Sequence, residues 1–147
     1  MLIKKEAKRI GVRAYPVIFT EVDDVVLVEV PDLEILTEGK DMPDAIEMAR
    51  DAIGISVISK QDYREEIPKP SVLNDIDVQE GTFANEGTSF ISFVDVDFDI
   101  YRRKLDNKTV RTNVTLPNWL KLEAEKAEIN ISKVLQEALM SKLGVYR

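Results

Sequence analysis

Asp95, Asp97 and Asp99 alternate along an apolar stretch, and clustered carboxylates are what a nuclease uses to hold Mg²⁺. On a strand, side chains two positions apart stand roughly 7 Å from one another. That is too wide for one ion to take all three from a single strand. A metal site would need carboxylates from other elements, and none can be nominated, so neither metal nor cofactor is expected. A second alternating set, Arg111, Asn113 and Thr115, suits a different chemistry. Arg takes guanine bidentately, Asn takes adenine bidentately, and Thr offers a hydroxyl and a methyl group to a base edge. Ser132 and Lys133 stand where a helix begins, and there backbone N–H groups and the helix dipole favour a phosphate oxygen.

The composition narrows the chemistry further. The 147 residues include no cysteine and no histidine. Thiolate nucleophiles, disulfides, zinc–thiolate sites, Ser–His pairs and imidazole ligands are thereby excluded. A binding protein is expected rather than an enzyme. A hydrophobic fraction of 44 % suits a folded globular chain, one domain or two small ones. No apolar run approaches the ~18 residues of a membrane span, and no secretory core follows the basic start. A cytoplasmic protein without a membrane partner is the expectation.

The net charge of −7 is unevenly spread. Residues 109–147 carry six basic side chains against four acidic, a balance of +2 that leaves −9 for residues 1–108. Within that larger part, residues 71–100 hold seven Asp or Glu and no Lys or Arg. Polyanions are repelled by such a surface, and a basic protein partner suits it. Asp95, Asp97 and Asp99 are weak candidates for facing that partner, with an ordinary solvated face as the alternative.

These residues need elements to hold them. Residues 14–20 and 25–30 are β-branched and aromatic, flank an acidic turn and read as a hairpin, with a short third strand at 35–37. Gly39 breaks the chain before Asp41, an N-cap followed by Pro43 and Asp44. Ala45, Ile46, Ala49, Ala52, Ile53, Ser56 and Val57 then recur at helical spacing, predicting a helix to about Asp62. The prolines of Ile67-Pro68-Lys69-Pro70-Ser71 make a connector, residues 76–88 carry no clear pattern, and 90–100 alternate as one long strand. Lys4, Lys5, Lys8, Arg9 and Arg13, with Ile3, Ala7 and Ile10, spell a short amphipathic helix or a loose tail.

A polar bridge at 105–108 separates this α+β domain, residues 1–106, from a second one, residues 107–147. The second reads as a strand at 109–116, a helix opened by Pro117, and a helix capped by Ser132 and ended by Gly144. A lone strand leaves its ladder unpaired, and two short helices cannot bury both apolar stripes on each other. Two copies solve both problems by pairing their strands into a ribbon under four helices, so a homodimer is expected, with higher oligomers left open. Thr112, Val114 and Leu116 then face the core, while Arg111, Asn113 and Thr115 face outward. The phrase Arg111-Thr112-Asn113-Val114-Thr115-Leu116-Pro117, with the turn Glu128-Ile129-Asn130-Ile131-Ser132-Lys133, resembles the ribbon–helix–helix DNA-binding family. Asn130 stands where that family more usually has glycine and is expected to take the left-handed conformation. Double-stranded operator DNA is the implied partner, with Arg111, Asn113, Thr115, Ser132 and Lys133 as the contact residues.

Tyr15-Pro16-Val17-Ile18-Phe19, Val30-Pro31-Asp32-Leu33, Glu38-Gly39-Lys40-Asp41 and the helix holding Asp44-Ala45-Ile46 and Ala49 resemble the HicB antitoxin family. That resemblance implies a degenerate ribonuclease-H-like first domain that binds and occludes a small basic HicA-like toxin, an mRNA-cleaving ribonuclease. It implies an autorepressor of a type II toxin–antitoxin operon. The residues by themselves leave two rivals open: a ribbon–helix–helix regulator whose first domain senses a small ligand, and a carboxylate-dependent nuclease.

Overall fold

The computed structural model describes residues 9–145. The chain divides into two compact units, Met1–Asn107 and Lys108–Arg147. Most of the basic N-terminal segment lies outside the described residues. Of the remainder, Ile10 packs against the core and Arg13 already belongs to the first strand.

The first unit begins with the expected hairpin, β1 (Val12–Val22) and β2 (Val25–Val30), closed by a tight turn in which Asp23 takes φ 37°. A 3-10 turn at Pro31–Leu33 leads to β3 (Ile35–Gly39), which pairs antiparallel with β2. The helix α1 (Met42–Asp62) follows, capped as expected by Asp41, whose carboxylate accepts from the Asp44 N–H. A fourth strand, β4 (Thr88–Asp97), pairs with β1 on its other side, giving an all-antiparallel sheet in the order β3-β2-β1-β4.

One face of the sheet packs on α1. Tyr15, Val17, Phe19, Val28, Val30, Val94 and Val96 meet Ala45, Ala49, Ile53 and Val57, all buried. Each large aliphatic side chain removed from water contributes roughly 1.5–3 kcal/mol. The small residues early in α1 let it sit close to β3. A Cβ on Gly39 would lie 2.3 Å from the Ala45 nitrogen, so only glycine fits there.

Residues 63–87, of which only the proline connector at 67–71 was legible in the sequence, run from the α1-side core, where Ile67 packs, to the opposite face, where Gly81 approaches Ile18. They form two 3-10 turns, Leu73–Asp75 and Val78–Glu80, within an otherwise irregular path. Glu29 anchors this path by accepting from the Thr82 N–H and hydroxyl, each at 2.8 Å. Asp32 likewise accepts from Ser71, and the Tyr15 hydroxyl donates to the Pro68 carbonyl at 2.6 Å. Covered on both faces, β1 buries six consecutive residues, 15–20. The buried Thr20 hydroxyl among them is satisfied by Ser89 at 2.7 Å.

The long strand expected over 90–100 ends early. At Asp97 the chain turns into a second helix, α2 (Phe98–Leu105). The reason is local: the Asp97 carboxylate caps the N–H groups of Asp99 and Ile100, and Phe98 and Tyr101 then bury at helical spacing. Alternation through residue 96 and helical spacing after it overlap at Phe98, which suits either pattern.

The second unit contains α3 (Asn118–Lys126) and α4 (Ile131–Leu143). Pro117 stands at the N-cap of α3 rather than inside its first turn. Residues 109–116, expected as a strand, carry neither helix nor strand in the single chain. A ladder requires a partner strand, and one copy offers none. Two expectations at the helical turn are corrected. Asn130, not Ser132, caps α4, its side-chain oxygen accepting from the Lys133 N–H at 3.1 Å. The left-handed residue is Glu128 at φ 54°, whereas Asn130 is extended.

Candidate functional site

The acidic candidates of the first unit do not converge. Asp95, on β4, pairs with Arg50 of α1 at 3.2 Å, and the same guanidinium donates to the Asp95 carbonyl at 3.0 Å. Asp97 spends its carboxylate capping α2, and Asp99 lies in the first turn of that helix. The three therefore do not share a strand face, which corrects the expected geometry. Among the described residues no group of three or more carboxylates stands close enough to hold a metal ion. The acidic character is spread over a surface instead. Asp75, Asp77, Glu80 and Glu86 are exposed along the path that covers the sheet, and Asp95 is exposed on the edge strand beside it. The part played by Arg50 was not legible, because its partner lies 45 residues away on another element.

In the second unit, Arg111, Asn113 and Thr115 are exposed and none is held by a neighbour among the described residues. One chain does not assemble them into a ribbon. Ser132 and Lys133 occupy the second and third positions of α4, both exposed. Asn130 takes the Lys133 N–H, so the amides of Ile131 and Ser132 are the ones left for an incoming oxygen. Asn is as good a cap as Ser, so the run Asn130-Ile131-Ser132 offered two candidate caps. The choice was made by the left-handed exit at Glu128, which the local sequence does not announce.

The larger feature of this unit is what it fails to bury. No described residue from 108 to 145 is buried. Val110, Val114, Trp119, Leu122, Ile129, Val134, Leu139 and Leu143 are all exposed, Trp119 at 66 % and Leu143 at 74 %. Two helices with apolar stripes facing water lack a core of their own.

A sheet-and-helix unit with an acidic covering, followed by a helical unit whose apolar side chains are exposed, defines a two-unit α+β protein. The chain belongs to the HicB-like antitoxin family of bacterial toxin–antitoxin systems, whose model matches residues 15–140. It is similar to a chain of a toxin–antitoxin complex from Streptococcus pneumoniae, at 25 % identity and a TM-score of 0.56, covering 89 % of this chain and 99 % of that one. It is also similar to the antitoxin HicB of Burkholderia pseudomallei, at 24 % identity and a TM-score of 0.48, covering 89 % of this chain and 96 % of the other. No curated protein matches the sequence. No helix of the described residues is long and apolar enough to cross a membrane.

Proposed function

We propose that this protein neutralises a small basic HicA-like ribonuclease toxin in the cytoplasm and represses its own operon, without enzymatic activity of its own. The toxin-facing half follows from the family. The observation that carries the DNA-binding half is the second unit, in which no described side chain is buried. A homodimer supplies what that unit lacks. Pairing residues 109–116 of two copies satisfies both unpaired strands, and four helices then close over Val114, Leu116 and the stripes of α3 and α4.

In that dimer Arg111, Asn113 and Thr115 project together from the ribbon, which fits the major groove, while the start of α4 with Ser132 and Lys133 meets phosphate. The functional division follows the chain: residues 1–106 bind toxin, residues 107–147 dimerise and read DNA. The hairpin, third strand and crossing helix support the degenerate ribonuclease-H-like description of the first part.

The toxin must hold RNA on a cationic surface, and an acidic domain is suited to cover it. Asp95, Asp97 and Asp99 lie near the end of β4, on the margin of the acidic surface, and are the toxin-facing candidates on this chain. Inhibition is then occlusion, with RNA excluded by bulk and like charge. The test is co-purification with the product of the adjacent reading frame, followed by an RNA cleavage assay. A stable complex with suppressed cleavage is expected. Free toxin activity in the presence of excess antitoxin would overturn the proposal.

A further inference from the structure

The order β3-β2-β1-β4 leaves the sheet of the first unit with two outer edges, and they are finished differently. The β3 edge is five residues long, carries Glu38, and ends at Gly39 against the first turn of α1. Short, charged or covered edges resist pairing with another chain. The β4 edge is ten residues long. Its stretch Thr88-Ser89-Phe90-Ile91-Ser92-Phe93-Val94 holds no charge, no proline and no glycine. A run of that composition pairs readily wherever its edge is open.

The register decides which backbone groups are open. Val22 pairs with Val25 across the hairpin turn, so Val22, Thr20 and Ile18 direct their N–H and C=O groups to β2. Glu21, Phe19, Val17 and Tyr15 then direct theirs to β4, onto Thr88, Phe90, Ser92 and Val94. The groups of Ser89, Ile91, Phe93 and Asp95 point the other way, off the sheet. Arg50 agrees with this parity, since it reaches the Asp95 carbonyl at 3.0 Å from outside the ladder and so closes that end. The Phe93 carbonyl meets only the hydroxyl of the neighbouring Ser92, at 3.5 Å. Ser89 and Ile91 have no backbone partner on that side among the described residues. The open ladder therefore runs from Ser89 to Phe93.

An aromatic ring flanks it on each face. Phe90, stacked on Phe19 at a centroid distance of 5.7 Å, is 41 % exposed on the α1 side. Phe93, in register with Pro16, is 49 % exposed on the other side. The alternate side chains of an added strand would find a cross-strand neighbour on either face. Charge selects the occupant. Glu21 lies in register with Thr88, and Asp23, Asp24 and Glu86 stand close to it in sequence. No ion pair holds any of these four among the described residues, whereas Asp95 at the far end is already paired with Arg50. Residues 1–108 balance to −9, so a second copy would bring like charge to like charge. A basic partner brings the opposite sign.

We propose that the β4 edge from Ser89 to Phe93 is where the basic partner docks, by adding a strand of its own to this sheet. That strand is apolar at its centre and cationic at the end that meets Thr88, and Arg50 sets where it stops. Main-chain hydrogen bonds to the open ladder supply affinity, while Phe90, Phe93 and the carboxylates around Thr88 supply selectivity. The proposal rests on the toxin-binding reading above and gives that reading a defined surface.

The experiment uses the full chain and the product of the adjacent reading frame. Residue-resolved amide exchange is measured on the chain alone and in the complex. The Ile91 and Phe93 amides are expected to slow by about tenfold or more on binding, whereas those of Phe90 and Ser92, already bonded to β1, change little. Affinity is then compared for wild type, Ser92→Lys and Leu36→Lys, with melting temperatures establishing that each variant is folded. Ser92→Lys sets a cation on the open strand and should weaken the complex by about tenfold or more. Leu36→Lys sets the same charge on the β3 edge and should weaken it by less than about threefold. Ile91 and Phe93 amides that exchange equally fast in the complex would overturn the proposal while leaving toxin binding intact. So would an unchanged affinity of Ser92→Lys, or an equal loss in both variants, which would trace the effect to net charge. Amides protected in the chain alone and released on dilution would overturn it by assigning the edge to a second copy. A wild-type chain that forms no complex would remove the toxin-binding reading itself, and the docked strand with it.

Discussion

The ring of Tyr101 lies where the side chain of residue 54 would be. A Cβ built on Gly54 would stand 2.7 Å from Tyr101 Cδ1 and Cε1, well inside van der Waals contact. The Tyr101 hydroxyl donates to the Asp51 carbonyl at 3.2 Å, so the ring is held at its tip as well as its face. Glycine in the middle of a long helix is otherwise unfavourable, by about 1 kcal/mol relative to alanine. Its presence here lets α2 lie against α1.

Gly54→Ala is accordingly expected to destabilise the first unit despite improving helix propensity. Overpacking against a held ring costs about 1–3 kcal/mol, which exceeds the propensity gain over most of that range. Urea denaturation of the variant measures it. A midpoint equal to or above wild type would show that the ring moves aside without cost.

Tyr101 also sets an alkaline limit. Burial, and then the nearby Asp51 carboxylate, raise its pKa above the ordinary 10.0. A raised acid is favoured in its neutral form by the folded state. Its contribution is therefore fully present below pH 10 and is lost as pH rises through the higher folded value. Tyr101→Phe should flatten that alkaline fall while losing roughly 0.5–1.5 kcal/mol of hydrogen bonding at neutral pH. Melting temperatures of both proteins between neutral pH and the alkaline limb decide it, and parallel curves would refute the assignment.

The two candidate caps of α4 separate cleanly. Asn130→Ala should lower stability of the dimer by about 1 kcal/mol, because the Lys133 N–H loses its partner. Ser132→Ala should change stability by less than about 0.5 kcal/mol, in the manner of an exposed position, yet weaken DNA binding through loss of its hydroxyl's phosphate contact, the backbone amide being kept. Thermal unfolding and operator titration of both variants give the comparison; the reverse order of stabilities would restore Ser132 as the cap.

Arg111→Ala is expected to weaken specific operator binding by roughly 1–3 kcal/mol while leaving the dimer assembled. Anisotropy at fixed salt against operator and scrambled duplexes measures the loss. Unchanged affinity would leave Arg111 as a solvated side chain on the outside of a dimerisation ribbon.

Leu139→Asp tests the dimer itself. Leu139 is 52 % exposed in the single chain, so in a monomer the change would be nearly neutral. In the proposed dimer it places a charge in a core, and sedimentation should show monomers that no longer bind DNA. Those monomers, like a fragment of residues 1–106, should still silence the toxin. Failure to protect RNA would mean that the tail takes part in inhibition.

Much of this architecture was legible from local signals. The hairpin, Asp41 and the Ala45-Ala49-Ile53 stripe each depend on neighbours in sequence, and each appears where the residues indicate. Local pattern failed where two patterns shared a residue. Phe98 fits both the strand alternation behind it and the helical spacing ahead, and the Asp97 cap together with the burial of Tyr101 over Gly54 chose the helix.

What the amino-acid order determined alone was the inventory of chemistry: no thiol, no imidazole, an acidic first part and a tail of slight positive balance. The tertiary structure decided which acids are free and which are occupied, since Asp95 meets Arg50 and Asp97 caps a helix through contacts that spacing cannot express. It also turned an unpatterned stretch into the cover of the sheet, because Glu29 and Asp32 draw residues 71–82 across a face that alternation alone would leave wet. The physical reason is common to all three. Periodicity records which side of an element is apolar, whereas the identity of the partner is fixed only when distant segments compete for the same surface.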